Sequence, residues 1–225
     1  MKKYLKKYYD SNGQNGDRVA LQMYYRILKR YVNSGNILDY GAGYGFLSKR
    51  IANNFLSFAY ELSQHARTQI KINTTKTVIY DNIRFPKSHF DAIVSLHCLE
   101  HINNPDKIIA LFYNSLKNDG VVLVVLPNID GIGHKIKKER WFGFRDKTHI
   151  SLFTPNKWKK CFTDNGFEII ITGSDWFWDV PYLPFIPSFI QKVIFYPGCL
   201  LMVILGRIIY PENWGEDLIV VARKN

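Results

Sequence analysis

With 225 residues, 47% of them apolar, the chain has material for one sizeable core with an embellishment rather than for two independent domains. Thirty Lys and Arg against nineteen Asp and Glu give a formal charge of +11. The charges are scattered in short pairs, so they read as a lysine-rich solvated surface and not as a dedicated nucleic-acid arm. Cys98, Cys161 and Cys199 are odd in number and lack CxxC spacing, so the cysteines indicate neither a disulfide framework nor a zinc site.

No apolar run follows the basic start MKKYLKKYYD, so no secretory signal is read. The expected location is cytoplasmic, with attachment at the inner membrane surface as its extension. Residues 1–15, ending in SNGQNG, read as mobile. RVALQMYYRILKRYV carries apolar residues at helical spacing and predicts a helix at the sheet edge, within an N-terminal helical extension over residues 1–35. From about Asn36 to Asn128, apolar runs such as NILDYG, SFAYEL, KTVIY, FDAIVSL and GVVLVVLPN alternate with amphipathic stretches such as SQHARTQIKI and PDKIIALFYNSLKN. Continuous apolar strands separated by amphipathic helices predict an α/β, doubly wound, mostly parallel sheet with helices on both faces.

Beyond Asn128 come a Gly- and Lys-rich loop, DGIGHKIKKER, and an aromatic stretch, WFGFRDKTHISLFT. Thr154 and Pro155 open a helix that Gly166 closes. FEIIITG and DLIVVARK read as the last two strands. Between them lies a hydrophobic insertion, residues 174–216, inside a single domain spanning 1–225. Its longest uncharged run, Val193 to Gly206, is fourteen residues broken by Pro197 and Gly198, too short for a spanning helix.

The chemistry starts at ILDYGAGYGF. A buried strand, Ile37 to Tyr40, ends in a glycine turn that opens a helix, which is where open α/β sheets bind ligands. Gly41, Gly43 and Gly45 make GxGxG, and Phe46 stands where a dinucleotide site needs a third helix-facing glycine. Glu61, at the end of the next strand, is placed to accept from both hydroxyls of a ribose. A nucleoside without a diphosphate is the implied ligand.

The chain at this point resembles the class I S-adenosylmethionine-dependent methyltransferases. DYGAGYG is similar to their first motif and YELS to their acidic second-strand end. DNIRFPKSHFDAIVSLHCLEHINNP resembles the stretch that reaches the adenine and opens the fourth strand. LKNDGVVLVVLPN resembles the fifth strand, with Asp119 in place of a glycine, and DKTHISLFTPNKWKKCFTDNGFEII is similar to a pattern of small-molecule methyltransferases in this class. The resemblance implies a seven-stranded sheet and S-adenosyl-L-methionine as cofactor. It places Asp39, Gly41, Gly43 and Gly45 around the methionine part, Glu61 on the ribose and Leu62 against the adenine. Asp81 and Asn82 are implied at the adenine edge, and Leu96 and His97 closing the pocket.

Methyl transfer from a sulfonium asks mainly for alignment, plus a base where the acceptor is a hydroxyl. His149 is the foremost base candidate, with Asp146 three residues earlier to orient it, followed by His97 and His101; His134 lies in the same region. No metal is expected, although Glu100, His97 and His101 could together hold one. The expected acceptor is a small molecule, a sugar or a lipid-linked intermediate, methylated on oxygen. The SLHCLEH turn lacks the NPPY-like signature of enzymes acting on exocyclic base amines, which makes nucleic acid the poorer choice. RNA or protein methylation, and a cofactor-binding module without turnover, stay open as alternatives. The insertion is expected to form two short helices that cap the acceptor pocket, to pack in a homodimer, or to meet a membrane peripherally through residues 176–214. In that last case Trp176, Trp178, Tyr182 and Trp214 would be flanked by Lys192 and Arg207.

Overall fold

The computed structural model describes residues 6–11 and 16–225. Part of the stretch expected to be mobile is a helix, α1 (Lys6–Ser11), whose Tyr9 is buried; residues 1–5 and 12–15 lie outside the described residues. α2 (Val19–Leu28) buries Met23, Tyr24, Tyr25, Ile27 and Leu28 against a face of the sheet, not against its edge. The reason is that its apolar stripe is wide enough to cover strand interiors.

The chain then alternates as the apolar pattern predicts. β1 (Asn36–Tyr40), α3 (Phe46–Ile51), β2 (Leu56–Tyr60), α4 (Gln64–Asn73), β3 (Thr77–Tyr80) and β4 (Phe90–Leu96) are followed by a 3-10 turn, Leu99–His101. α5 (Pro105–Ser115) leads into β5 (Leu116–Pro127). The seven strands order as β3-β2-β1-β4-β5-β7-β6, where β6 is Phe167–Ser174 and β7 is Asp217–Lys224. Only β7 runs against the rest, antiparallel to both β5 and β6.

Strand alternation feeds two cores. Val121, Leu123 and Val125 of β5 face α2 and α3, while Val122, Val124 and Leu126 face α5 and α8 (Pro155–Asp164). Both faces are covered, so the strands need to be apolar throughout. Asp119 takes φ +61° at the entry to β5, a left-handed conformation that Asp tolerates better than most residues, which is how it stands in for glycine. Thr154 caps α8 by accepting from the Lys157 N–H at 3.3 Å.

Two expectations change. The Gly- and Lys-rich loop contains α6 (Ile132–Lys137), a 3-10 turn at Lys138–Arg140 and α7 (Phe142–Arg145). The insertion forms one helix, α9 (Ser188–Leu205), with Pro197 inside it, rather than two short ones. Its 18 residues, at a mean hydropathy of 1.8, are long and apolar enough by length and composition to cross a membrane. A single crossing would nevertheless part β6 from β7, which are paired along their length, so α9 stays on one side of the domain. It packs on α2, with Met202 in the shared core and the Arg26 guanidinium donating to the Val203 carbonyl at 2.7 Å. Gly206, at φ +58°, ends it.

Candidate active site

Between β1 and β4 the strand order reverses direction, and the crevice outside their carboxyl ends is where this topology receives ligands. Gly41, Gly43 and Gly45 all have positive φ, at +79°, +55° and +79°. A Cβ on Gly41 would lie 2.5 Å from the Cys98 sulfur, so the turn after β1 can pass beneath β4 only without a side chain. The N–H groups of Gly41 and Ala42 both donate to the Tyr60 carbonyl, which ties the loop to the end of β2.

Glu61 follows directly. It is buried, and its carboxylate takes the Gly43 N–H at 2.9 Å on one oxygen, and on the other the Ser63 N–H at 2.8 Å and the Tyr9 hydroxyl at 3.2 Å. Burial raises its pKa, and these donors work against that rise. Asp39 is turned toward α3, where it accepts from the Ser48 hydroxyl at 2.6 Å; burial pushes its pKa up to about 7. In this position Asp39 fastens the first turn of α3 to β1 beneath the loop. Leu62 is half-exposed beside Glu61, and Leu96 is half-buried at the end of β4. Asp81 and Asn82 are exposed at the end of β3 and hydrogen-bonded to each other at 2.8 Å.

The other wall is charged. His97, at φ +49°, has its ring 3.3 Å from Asp217 and 3.6 Å from Glu100. Burial would lower its pKa, but the two carboxylates outweigh burial and hold it at about 10. His97 is therefore an imidazolium at neutral pH, which removes it from the bases expected above. Asp217 donates its N–H to buried Asp175, whose pKa is driven up first by burial and then by the Asp217 charge. Nothing local in the sequence marks Asp175 or Asp217; only the pairing of β6 with β7 brings them to His97.

His149 is nearly enclosed. Its Nδ1 donates to the Gly143 carbonyl at 2.7 Å, and its Nε2 lies 3.9 Å from both Glu100 and Asp146. Asp146 was expected to orient this ring; it accepts instead from the Thr148 and Tyr8 hydroxyls, and Thr148 in turn meets His101 Nδ1 at 2.8 Å. Burial lowers the pKa of His101, so its ring is neutral at neutral pH. The rings of His101 and His149 lie 4.7 Å apart. The Glu100 carbonyl accepts from the N–H groups of both Ile150 and Ser151, which staples this segment to the turn after β4. His134 packs tilted against Trp141 and hydrogen-bonds to the Ile129 carbonyl.

α1 covers both walls. Tyr9 packs on Tyr44 of the glycine loop with centroids 4.8 Å apart, while its neighbour Tyr8 reaches Asp146 at 3.2 Å and His101 at 3.4 Å. Two tyrosines in a basic stretch have no periodic partner, so this contact has no local signal.

A family model described as a methyltransferase domain matches residues 13–171. The chain belongs to that family. Its fold is that of the class I S-adenosylmethionine-dependent methyltransferases. A structure of an S-adenosylmethionine-dependent methyltransferase from Archaeoglobus fulgidus superposes with a TM-score of 0.66 at 17% identity, covering 98% of this chain and 100% of that one. Phosphoethanolamine N-methyltransferase 2 from Haemonchus contortus, in complex with S-adenosyl-L-methionine, gives a TM-score of 0.61 at 19% identity over 89% of this chain and 52% of that one. Phosphoethanolamine N-methyltransferase 2 of Caenorhabditis elegans is 26% identical in an alignment of 118 positions that covers 45% of this chain; the chain spans 26% of that relative's length.

S-Adenosyl-L-methionine fits the residues of this methyltransferase domain. A bare loop of three left-handed glycines offers backbone to a ligand lying along it, and the nearest buried carboxylate, Glu61, already receives a hydroxyl, that of Tyr9. A ribose hydroxyl needs that same acceptor.

Proposed function

We propose that this methyltransferase domain methylates an oxygen of a small molecule. The observation that carries the reading is the pairing of His101 with His149 on the wall opposite the glycine loop. The hydrogen bonds described above commit Nδ1 of each ring to a neighbour, which leaves Nε2 as the atom that can meet an acceptor proton. A hydroxyl acceptor needs such a wall to orient it and draw on its proton. The cofactor supplies an activated methyl on a sulfonium. Glu61 and the glycine loop hold and orient the nucleoside, α1 excludes water from above, and the His101 and His149 wall positions the acceptor. The nematode relatives are named for methylation of phosphoethanolamine, a small molecule, which supports the substrate class but favours nitrogen. Calorimetry with S-adenosylmethionine followed by a tritiated-methyl screen over hydroxyl- and amine-bearing small molecules tests the reading. Turnover on amines alone would replace oxygen with nitrogen, and no cofactor binding would end the proposal.

A lipid-linked acceptor is favoured by a separate feature. α9 exposes Phe189, Ile190, Val193, Ile194, Ile204 and Leu205, which follow one helical face, beside the exposed cations Lys192 and Arg207. Such a face suits the headgroup boundary of an anionic bilayer, with the net charge of +11 of matching sign. Flotation with phosphatidylglycerol-containing vesicles should carry the protein upward, and the double substitution Val193→Glu, Ile204→Glu should leave it at the bottom. Wild type that never floats removes the lipid reading and leaves the soluble small molecule.

A further inference from the structure

Glu100 is fully buried, and neither of its carboxylate oxygens has a hydrogen-bond partner among the described residues. Buried carboxylates normally collect donors, so this one asks for an explanation. Three imidazoles face it: His97 Nδ1 at 3.6 Å, His149 Nε2 at 3.9 Å and His101 Nε2 at 4.0 Å, all from the same oxygen and all too far for hydrogen bonds. His97 is taken up by Asp217. The other two rings are held from behind. The Gly143 carbonyl can only accept, so His149 Nδ1 carries the hydrogen. The Thr148 hydroxyl spends its hydrogen on Asp146 at 2.6 Å, so it accepts from His101 Nδ1. The Nε2 atoms of both rings are turned toward the same Glu100 oxygen, and that of His101 also has the Tyr8 hydroxyl at 3.4 Å. Electron-rich groups converge in this way around a shared cation, and an outward Nδ1–H held by a carbonyl, or by a hydroxyl backed by a carboxylate, is the support that metal-bound imidazoles carry.

We propose that Glu100, His101 and His149 ligate one divalent transition-metal ion on the acceptor side of the crevice. Their ligand atoms lie within 4.8 Å of one another. Two ligands at about 2.1 Å from a common ion are at most ~4.2 Å apart, and the Glu100 separations of 3.9 and 4.0 Å fall inside that limit. Two imidazole nitrogens and one carboxylate oxygen suit zinc, manganese, iron(II) or cobalt rather than magnesium or calcium. Three protein ligands leave coordination positions open, which an oxygen of the acceptor can take, and an acceptor with two neighbouring oxygens can take two. The site thereby narrows the acceptor of the proposed function to an oxygen-rich molecule. Only this narrowing rests on that proposal; the metal site itself does not.

The full-length chain, stripped with chelator, is titrated with Co2+ and Zn2+ in calorimetry and followed by the visible d–d absorption of Co2+, with neither S-adenosylmethionine nor acceptor present. One equivalent per chain is expected. Glu100→Gln and His149→Gln are each expected to weaken binding about tenfold or more. His89→Gln, before the amino end of β4 and so at the opposite end of the strand, is expected to leave it unchanged. Retained S-adenosylmethionine binding and circular dichroism show that the variants are folded. Absence of a one-to-one complex in wild type overturns the proposal whatever the variants do, and so does equal affinity across folded variants; Glu100 is then neutralised by protons on its histidines. Metal binding without cofactor binding, or the reverse, tells failure of the methyltransferase reading apart from failure of this one.

Discussion

The parallel strands under the crevice and the segments that close over it are held in different ways. Beneath, β1, β2 and β4 fix Gly41, Gly43, Gly45 and Glu61 through backbone pairing, with Tyr60 taking two loop N–H groups at once. Above, the Glu100 carbonyl anchors Ile150 and Ser151, but α1 and the rest of residues 141–151 meet the crevice through side chains: Tyr8 on Asp146, Tyr9 on Glu61, Thr148 between Asp146 and His101. Backbone ladders are cooperative and insensitive to any one residue, whereas a side-chain network shares its energy among few partners. Substitutions below should therefore abolish binding, and substitutions above should tune it.

Gly43→Asp should break the floor most severely. It adds a side chain at φ +55° and a negative charge beside Glu61, and S-adenosylmethionine affinity should fall more than about a hundredfold, ~2.8 kcal/mol, in calorimetry. Retained affinity would show that the ligand does not follow the loop. Glu61→Gln comes next. Each carboxylate oxygen receives a backbone N–H, from Gly43 on one side and Ser63 on the other, so the amide group must oppose one of them whichever way it lies. A loss of about ten- to a hundredfold in affinity is expected, and a change under twofold would place the ribose elsewhere.

His97 tests the wall. Between pH 6.5, its ordinary value, and about 10, the folded chain holds a proton that the unfolded chain has shed. This contribution to stability is therefore complete below pH 6.5 and drains away as pH rises toward 10. In thermal melts from pH 6 to 10, His97→Gln should flatten the downward slope; an unchanged slope would mean that His97 is not protonated in the fold. Tyr9→Phe should act least, because it removes one of three donors to Glu61 and leaves the contact with Tyr44 in place. A shift in cofactor affinity of about threefold or less is expected, with unaltered melting, and a tenfold loss would make Tyr9 part of the floor.

The same division explains what could be read from the sequence. Continuous apolar runs such as GVVLVVLP and the glycine punctuation of DYGAGYG are local signals, so the strands and the place of Glu61 at a strand end were legible. Asp175 and Asp217 were not, since 42 residues separate them and only the sheet joins them. Nor was the role of Asp146: three residues before His149 it looks like the orienting carboxylate, yet α7 offers His149 the Gly143 carbonyl and leaves Asp146 to Thr148. Pro197 and Gly198 look like breaks in the sequence, yet both lie inside α9. In the fold the Gly198 position comes against the indole of Trp176, where an added Cβ would be 2.5 Å from its nitrogen, so this glycine marks a close contact rather than a helix end.

Tyr8 and Tyr9 are consecutive on one short helix, yet one touches Asp146 and the other Glu61, on opposite walls of the crevice. If, as proposed, a ribose hydroxyl takes over Glu61, it would displace Tyr9, and that displacement would pass through a single peptide unit to Tyr8. The occupancy of one pocket is thus written into the free energy of the other, and by thermodynamic reciprocity the acceptor must alter cofactor affinity by the same factor that the cofactor alters its own.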